Sequence, residues 1–307
     1  MALVNAHTHL ELSDQGHLLP EPSAEFTAWV PGVIRAGMQR TPAAIRDACE
    51  AGIAELLAAG TTHVGDISAT GISVELLARS GLKGIVWLEV LGATMERGLA
   101  RLAHVKSYVN ELREQAASSP IHIGATLHAP YSLHPDLWEP ALRWIEAEAL
   151  PLCVHLAESP GEWALLTEGT GPFRAFEEKL GLPALPCPRM TPVEYLESKG
   201  VLGFRPLLVH MVQVTDNDIQ RVARSGATVV HCPRSNARLE CGRMPLEKYL
   251  AAGVPVLLGT DSRASSPSLS VWDEAEFAMK LHEGLVTAEV VEEMAQDEGL
   301  FKDVGEW

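Results

Sequence analysis

Two histidines near the start of the chain have the spacing of metal ligands. His7 and His9 lie two residues apart at the end of a short apolar segment, Leu3–Thr8. Side chains two residues apart on a β-strand point to the same side, so both imidazoles would face one site. Two imidazoles on one face are a natural half of a divalent-metal site, although this pair alone is a weak signal.

More histidines and acids follow at the ends of later apolar segments. They are Asp66, Glu89, His128, His155, Glu158, His210, His231 and Asp261. Apolar side chains at these positions would cost less free energy to bury. The repeated histidines and acids therefore indicate a functional site rather than a contribution to stability. Adding His155 and Asp261 to the first two histidines gives a donor set of three nitrogens and one oxygen. That set suits zinc or iron and leaves a position for water.

The segments that must position these residues alternate between short apolar runs and helical stretches. Eight runs read as β-strands, namely Leu3–Thr8, Thr61–Asp66, Lys83–Val90, Ile121–Leu127, Leu152–Leu156, Pro206–His210, Ala227–His231 and Val254–Asp261. Thr41-Pro42 and two similar threonine signals mark helix starts between them. Eight alternating units predict a closed (β/α)₈ barrel of the α/β class, with an open doubly wound sheet as the alternative. In a barrel the carboxyl ends of the strands converge on one face.

The whole chain is predicted to form one barrel domain over residues 1–307. No linker, low-complexity tract or internal repeat marks a second domain. Two stretches, residues 11–40 and 168–190, are too long for ordinary barrel loops and are predicted to be lids or insertions.

Composition narrows the class of protein. The 307 residues are 47% hydrophobic and 21% charged, as in ordinary globular proteins, and no apolar run approaches a membrane span of roughly 18 residues. A net charge of −16 disfavours nucleic acids and acidic membranes as partners. Five cysteines without a CxxC pair, and no visible secretory signal, favour a reducing, cytoplasmic compartment. We expect a small-molecule substrate and leave open whether the chain forms a homodimer.

Five segments together resemble the amidohydrolase superfamily, in its branch of cytosine deaminase, S-adenosylhomocysteine deaminase and triazine chlorohydrolase. They are Asn5-Ala6-His7-Thr8-His9, His155-Leu156-Ala157-Glu158, Leu208-Val209-His210, His231-Cys232-Pro233-Arg234-Ser235-Asn236 and Gly259-Thr260-Asp261-Ser262. They occur in the family's order and span most of the chain. The resemblance implies a metal-dependent hydrolase that removes an exocyclic amine from a purine-like ring and releases ammonia.

The resemblance also implies a role for each matching residue. One divalent ion, zinc or alternatively iron, would be held by His7, His9, His155 and Asp261. Glu158 would shuttle protons, His210 would hydrogen-bond the attacking hydroxide or the substrate, and Asp261 would be a second proton acceptor. His128 would contact the substrate. Nothing suggests the carboxylated lysine of two-metal relatives, so one metal is expected.

Several residues that could contact the substrate have two possible interpretations. Asp66 and Glu89 either touch the substrate or orient neighbouring groups, and His231 either faces the ligand or bonds within its own loop. Tyr131 and Trp87 either stack on a base or pack in the core, which is the commoner role.

The arginines after the seventh strand suggest a particular substrate. Arg234, Arg238 and Arg243 are dense for so acidic a chain, and a guanidinium grips a carboxylate through two hydrogen bonds. Among the substrates of the branch that the sequence resembles, aminodeoxyfutalosine is a purine nucleoside that bears a carboxylate. The resemblance and the arginines together make it the candidate substrate, with Arg234 as a substrate ligand. The alternative is that these arginines pair with acids at the surface.

Three other functions remain as alternatives. The same site could hydrolyse a carbon–chlorine bond of a triazine, or a cyclic amide. A non-catalytic metal-binding protein is the alternative from another class, but such a protein would need neither Glu158 nor His210.

Members of the family usually carry a small β-sandwich built from segments that flank the barrel. This sequence has little length outside the predicted barrel, so we expect that sandwich to be largely absent.

Overall fold

Eight parallel strands form a single sheet in the order of the sequence. The computed structural model describes residues 2–302, and every named strand in that range belongs to this sheet. The strands are β1 (Val4–Thr8), β2 (His63–Ser68), β3 (Lys83–Val90), β4 (Ile121–Leu127), β5 (Leu152–Leu156), β6 (Leu207–His210), β7 (Thr228–His231) and β8 (Val256–Leu258). A sequential order with helical crossovers confirms the predicted (β/α)₈ barrel and excludes the doubly wound alternative.

Helices connect the strands and cover the outside of the sheet. They are α1 (Phe26–Met38), α2 (Pro42–Ala58), α3 (Ile72–Ser80), α4 (Met95–Ala116), α5 (Trp138–Ala147), α6 (Pro160–Thr167), α7 (Pro172–Lys179), α8 (Pro192–Ser198), α9 (Asp216–Ser225), α10 (Pro233–Arg238), α11 (Leu246–Ala251), α12 (Val271–Leu281), α13 (Ala288–Met294) and α14 (Gly299–Lys302). The threonine start signals are confirmed: Thr41 caps α2, and Thr191 and Thr215 form capping boxes at α8 and α9. No helix in the described range is long and apolar enough to cross a membrane.

The barrel closes where β8 meets β1. The backbone N–H of Asp261 donates to the carbonyl of His7 at 3.0 Å, and Thr8 and Asp261 form a parallel bridge. The predicted strand Val254–Asp261 is too long, because β8 ends at Leu258 and Asp261 adopts a left-handed φ of 60°. The chain therefore turns at Asp261, and its side chain is brought beside the end of β1.

Trp87 fills the interior of the barrel. It is 1% exposed, and glycines on the two neighbouring strands make room for its indole. A Cβ at Gly65 would lie 2.6 Å from the ring and 2.2 Å from the carbonyl oxygen of Ala6, and a Cβ at Gly124 would lie 2.5 Å from the ring. Trp87 is thus a core residue, and the interpretation that it stacks on a base is wrong.

The two long insertions contain helices and contact each other. Residues 11–40 include α1, and residues 168–190 include α7. Phe26 of α1 packs against Phe173 of α7, with ring centroids 5.8 Å apart. Trp29 donates its indole N–H to the carbonyl of Ala264, in the loop that follows β8. These contacts place both insertions over the carboxyl-end face of the barrel, as expected for segments that cover a site.

Replacing Gly65 by alanine should destabilise the barrel. The new methyl group would overlap a backbone oxygen and Trp87. We therefore expect the free energy of unfolding to fall by an amount near the upper end of the range of about 1–3 kcal/mol. Gly37→Ala is the matched control, since no atom lies within 4 Å of a Cβ there and alanine favours the helix. Urea unfolding would measure both variants. Equal stability of Gly65→Ala and the parent would contradict this packing.

Candidate metal centre and active site

Three histidines from two strands converge at the carboxyl-end face. One ring nitrogen from each of His7, His9 and His155 lies within 4.8 Å of the others. β1 carries His7, His9 follows directly after the last residue of β1, and β5 carries His155 from across the barrel. His7 and His155 are buried, while His9 is partly exposed at the end of the strand.

Asp261 adds a carboxylate to the three imidazoles. Its Oδ1 lies 3.4 Å from Nε2 of His7 and 3.5 Å from Nε2 of His9. Its Oδ2 accepts hydrogen bonds from the hydroxyls of Ser235 and Ser265, at 2.7 and 2.8 Å. Burial alone would raise the pKa of Asp261, but the neighbouring histidines outweigh it and hold that pKa well below its usual value. One oxygen therefore faces the histidines while the serines orient the other.

These residues fit a bound divalent ion. Both ring nitrogens of His7 are buried without a hydrogen bond to any group in residues 2–302, an arrangement that costs about 1–3 kcal/mol per unsatisfied group. Burial lowers the pKa of His9 to about 3, and burial together with nearby histidines lowers that of His155 well below its usual value. The imidazoles of His9 and His155 are thus neutral, which is the form that binds metals. Three nitrogens and one oxygen suit zinc or iron.

The backbone selects the tautomer of His155. Its Nδ1 lies 3.0 Å from the carbonyl oxygen of His128, which can only accept a hydrogen bond. The proton therefore sits on Nδ1, and the lone pair of Nε2 is free to bind an ion.

Glu158 and His210 lie together beside the cluster. Oε1 of Glu158 is 3.5 Å from Nε2 of His210, and both side chains are almost fully buried. Nδ1 of His210 donates to Oδ1 of Asn236 at 2.9 Å, so Nε2 carries the lone pair. Burial raises the pKa of Glu158 well above its usual value, which favours a carboxyl group that can hold a proton.

Two predicted substrate-contact residues also reach this face. Nε2 of His128 lies 3.9 Å from Oε1 of Glu89, and its ring centroid is 4.9 Å from that of His155. Nδ1 of His128 contacts the hydroxyl of Ser132 at 2.7 Å, which fixes the ring. Burial raises the pKa of Glu89 to about 7. The structure thus brings a carboxyl and an imidazole to the edge of the histidine cluster.

Tyr131 and Asp66 are also placed by the structure. The Tyr131 ring packs on Phe173 with centroids 4.4 Å apart, within the aromatic contact between the two insertions. Oδ1 of Asp66 accepts the backbone N–H of Leu10 at 2.8 Å and the hydroxyl of Thr8 at 3.2 Å. Asp66 therefore orients the end of β1, the second of its two interpretations.

The structure gives Arg234 a different role from the predicted one. Its Nε donates to the buried Oε1 of Glu274 at 2.6 Å, and both terminal nitrogens contact Ser268 at 3.0 Å. Because all its nitrogens are engaged within the protein, Arg234 is not available to grip a substrate carboxylate, and that assignment is corrected. Arg238 and Arg243 likewise pair with Glu21 and Glu247. None of these three arginines contacts the histidine cluster, Asp261 or the Glu158–His210 pair in the hydrogen bonds and ion pairs of residues 2–302.

His231 also does not have the predicted role of a substrate ligand. It is fully buried, and its Nε2 lies 3.1 Å from Nε2 of His282, a residue of the segment after α12. Arg243 contacts Nδ1 of His282 at 3.0 Å and connects this histidine pair to Glu247. His231 therefore hydrogen-bonds within the protein, but its partner lies after α12 and not within its own loop, so neither interpretation describes it fully.

Sequence reasoning missed several residues that hold the site together. Ser235 and Asn236 stand in the motif after β7 that carried the family resemblance, so their types were a usable signal. Ser265 had no such signal, because only the turn at Asp261 brings it to the carboxylate. Glu162 accepts the backbone N–H groups of Ala157 and Glu158, and nothing in the sequence distinguishes it from an ordinary helix-capping acid.

A barrel with a histidine–carboxylate cluster at its carboxyl-end face defines a class of metal-dependent hydrolases. Residues 2–297 match the sequence model of the Amidohydrolase family, and the chain belongs to this family. The resemblance seen in the five motifs is thereby confirmed.

Three similar proteins are deaminases by name. Aminodeoxyfutalosine deaminase of Deinococcus radiodurans is 38% identical over 294 residues, which are 92% of this chain and 68% of the relative. Aminofutalosine deaminase of Helicobacter pylori, solved in complex with methylthio-coformycin, superposes with a TM-score of 0.81 at 25% identity, over 96% of this chain and 70% of that one. An adenosine deaminase from Xanthomonas campestris with bound zinc has a TM-score of 0.72 at 25% identity, over 98% and 63%.

Loss of a ligand should release the metal. In His7→Ala or Asp261→Ala we expect the purified protein to lose most of a content of about one zinc or iron per chain, because each removes one of four donors. His122→Ala is the control, since that histidine is exposed on β4. Elemental analysis of the purified proteins would measure this. An unchanged metal content in His7→Ala would refute its assignment as a ligand.

Proposed function

We propose that the protein is a metal-dependent deaminase that hydrolyses the exocyclic amine of a purine-like nucleoside. The observation that carries the proposal is the buried Glu158–His210 pair beside the cluster of His7, His9, His155 and Asp261. The 38% identity to an aminodeoxyfutalosine deaminase supports aminodeoxyfutalosine as the substrate. The five cysteines are all unpaired, which supports a cytoplasmic enzyme.

One divalent ion is part of this proposal, and zinc is the first choice. The zinc-bound adenosine deaminase among the similar structures supports zinc. An ion held by the four side chains would lower the pKa of a water molecule to about 7 and so provide a nucleophile at neutral pH.

Glu158 is proposed to move the protons of the reaction. Water adds to the ring carbon that bears the amine, and the carbon–nitrogen bond then breaks to release ammonia and leave a carbonyl group. Glu158 takes a proton from the attacking water and gives it to the departing nitrogen, a task that suits a buried carboxyl with a raised pKa. Asp261 is proposed as a second acceptor of a proton from that water.

His210 and the substrate-contact residues would orient the reactants. With its proton on Nδ1, His210 presents Nε2 as an acceptor in the space next to Glu158. His128 and Glu89 face the same space from β4 and β3. We propose that the carboxyl of Glu89 accepts hydrogen bonds from hydroxyl or N–H groups of the nucleoside, while His128 contacts its ring.

The alternatives differ in the product they release. Chlorohydrolase activity would release chloride from a triazine, and cyclic-amide hydrolysis would open a ring without release of ammonia. A metal-binding protein without catalysis would have no need of a buried carboxyl at the edge of the cluster, since burying an acid is costly.

Glu158→Gln should abolish most of the activity without loss of metal. The amide cannot carry the proton, so we expect kcat to fall by about 10²–10⁴-fold. Glu177→Gln is the control, because Glu177 is also a buried carboxyl but pairs with Arg174 on α7. Ammonia release and elemental analysis would be measured side by side. A kcat of Glu158→Gln near that of the parent would rule out the proton-transfer role.

The choice of substrate is tested by a comparison of nucleosides. We expect kcat/KM for aminodeoxyfutalosine to exceed that for adenosine and 5-methylthioadenosine, measured by ammonia release from the metal-loaded enzyme. Cytosine, guanine and a chlorotriazine complete the panel and test the alternatives. Equal kcat/KM for aminodeoxyfutalosine and adenosine would remove the case for the carboxylated substrate. Chloride release without ammonia release would replace the deaminase proposal.

A further inference from the structure

The turn that carries Glu158 has an unusual backbone. Ala157, the residue before it, adopts a left-handed φ of 52°, which a residue with a Cβ disfavours by roughly 1–2 kcal/mol. Its carbonyl accepts two hydrogen bonds from the segment just after β6, from the N–H groups of Val212 at 2.9 Å and Gln213 at 2.7 Å. The carbonyl side of the turn is thus fixed to the segment that follows the neighbouring strand.

A fully buried carboxylate holds the amide side of the same turn. Oε1 of Glu162 accepts the N–H of Ala157 at 3.1 Å, and Oε2 accepts the N–H of Glu158 at 2.9 Å. The two oxygens therefore grip two successive amides, which ties the first turn of α6 to the end of β5. Burying a carboxylate is costly, so a carboxylate that bonds only backbone in this way indicates a specific positioning task.

Ordinary helix capping does not account for this arrangement. Ser159 is the N-cap of α6, and its hydroxyl accepts the N–H of Glu162 at 3.2 Å. In a capping box, the acid at the third helical position bonds the N–H of the N-cap residue. Here Glu162 occupies that position but bonds the two residues that precede the N-cap. The bonds are therefore made to the residue proposed to transfer protons and to the strained residue before it.

We propose that Glu162 is a positioning residue that holds the left-handed turn at Ala157 and thereby sets the location of the Glu158 carboxyl. The inference rests on the proposed function of Glu158. If the turn relaxed, the Glu158 carboxyl would shift from its place 3.5 Å from His210, while His7, His155 and Asp261 would keep their positions. The loss would therefore fall on the chemical step rather than on substrate binding.

Glu162→Gln tests the proposal with a side chain of the same size. The amide can accept only one of the two N–H groups and faces the other with its own N–H₂ group. We expect kcat to fall by about 10–100-fold, the scale of a misplacement of about 1 Å, with KM within about threefold of the parent. Metal content should be unchanged. Glu177→Gln is the matched control, because that buried carboxyl also accepts a backbone N–H, from Leu185 at 3.2 Å, on a different segment.

A second variant separates positioning from an effect of charge. Glycine adopts a left-handed φ at no steric cost, so Ala157→Gly should keep the turn in place without help from Glu162. We expect the double variant Ala157→Gly/Glu162→Gln to recover most of the kcat lost in Glu162→Gln. If Glu162→Gln alone does not fold, the double variant is compared with Ala157→Gly and should match it.

The outcomes distinguish this inference from the proposed function. A Glu162→Gln kcat within about threefold of the parent, while Glu158→Gln is inactive, would overturn the positioning role alone. Failure of Ala157→Gly to rescue the activity, or a parallel loss of metal in Glu162→Gln, would also overturn it. Full activity of Glu158→Gln would instead refute the proposed function.

Discussion

The pairing of β8 with β1 is the constraint on which the candidate site depends. The two strands are the last and the first of the sheet, and the hydrogen bond from the N–H of Asp261 to the carbonyl of His7 closes the barrel between them. Because of this closure, a carboxylate near the end of the chain lies within 3.5 Å of two histidines near its start. An open sheet with the same strands would leave Asp261 at the opposite edge from His7 and His9, and the donor set would not form.

The strand ends that carry the site share a second constraint. Ala157, His210 and Asp261 all adopt left-handed φ values, of 52°, 75° and 60°. Each such residue costs of order 1–3 kcal/mol and persists only where the surroundings hold it. Side-chain hydrogen bonds are made at each of these residues. Glu162 of α6 binds the backbone of Ala157, Asn236 of α10 binds the ring of His210, and Ser235 of α10 and Ser265 bind the carboxylate of Asp261. Elements that follow β5, β7 and β8 therefore orient the site.

Much of this arrangement could be predicted from the sequence, because it depends on local patterns. The alternation of apolar runs and helices predicted the barrel, and the two-residue spacing of His7 and His9 predicted their common side. The predicted length of β8 was wrong because the point at which a strand stops pairing with its neighbours is set by tertiary contacts, which the apolar pattern does not show. Arg234 was misassigned because its partner, Glu274, lies forty residues later and faces it only in the folded chain. Contacts of that kind form only when distant segments meet in the folded chain. The hydrogen bonds to the second carboxylate oxygen of Asp261 belong to the same kind.

The central claim is that His7, His9, His155 and Asp261 hold a single catalytic metal ion. Crystals of the metal-loaded protein, measured on both sides of the zinc and iron absorption edges, would test it most directly. We predict one anomalous peak per chain, bonded to the three histidines and to Oδ1 of Asp261, with Glu158 and His210 beside it. A peak held by other residues, or two peaks that share Asp261, would contradict the account.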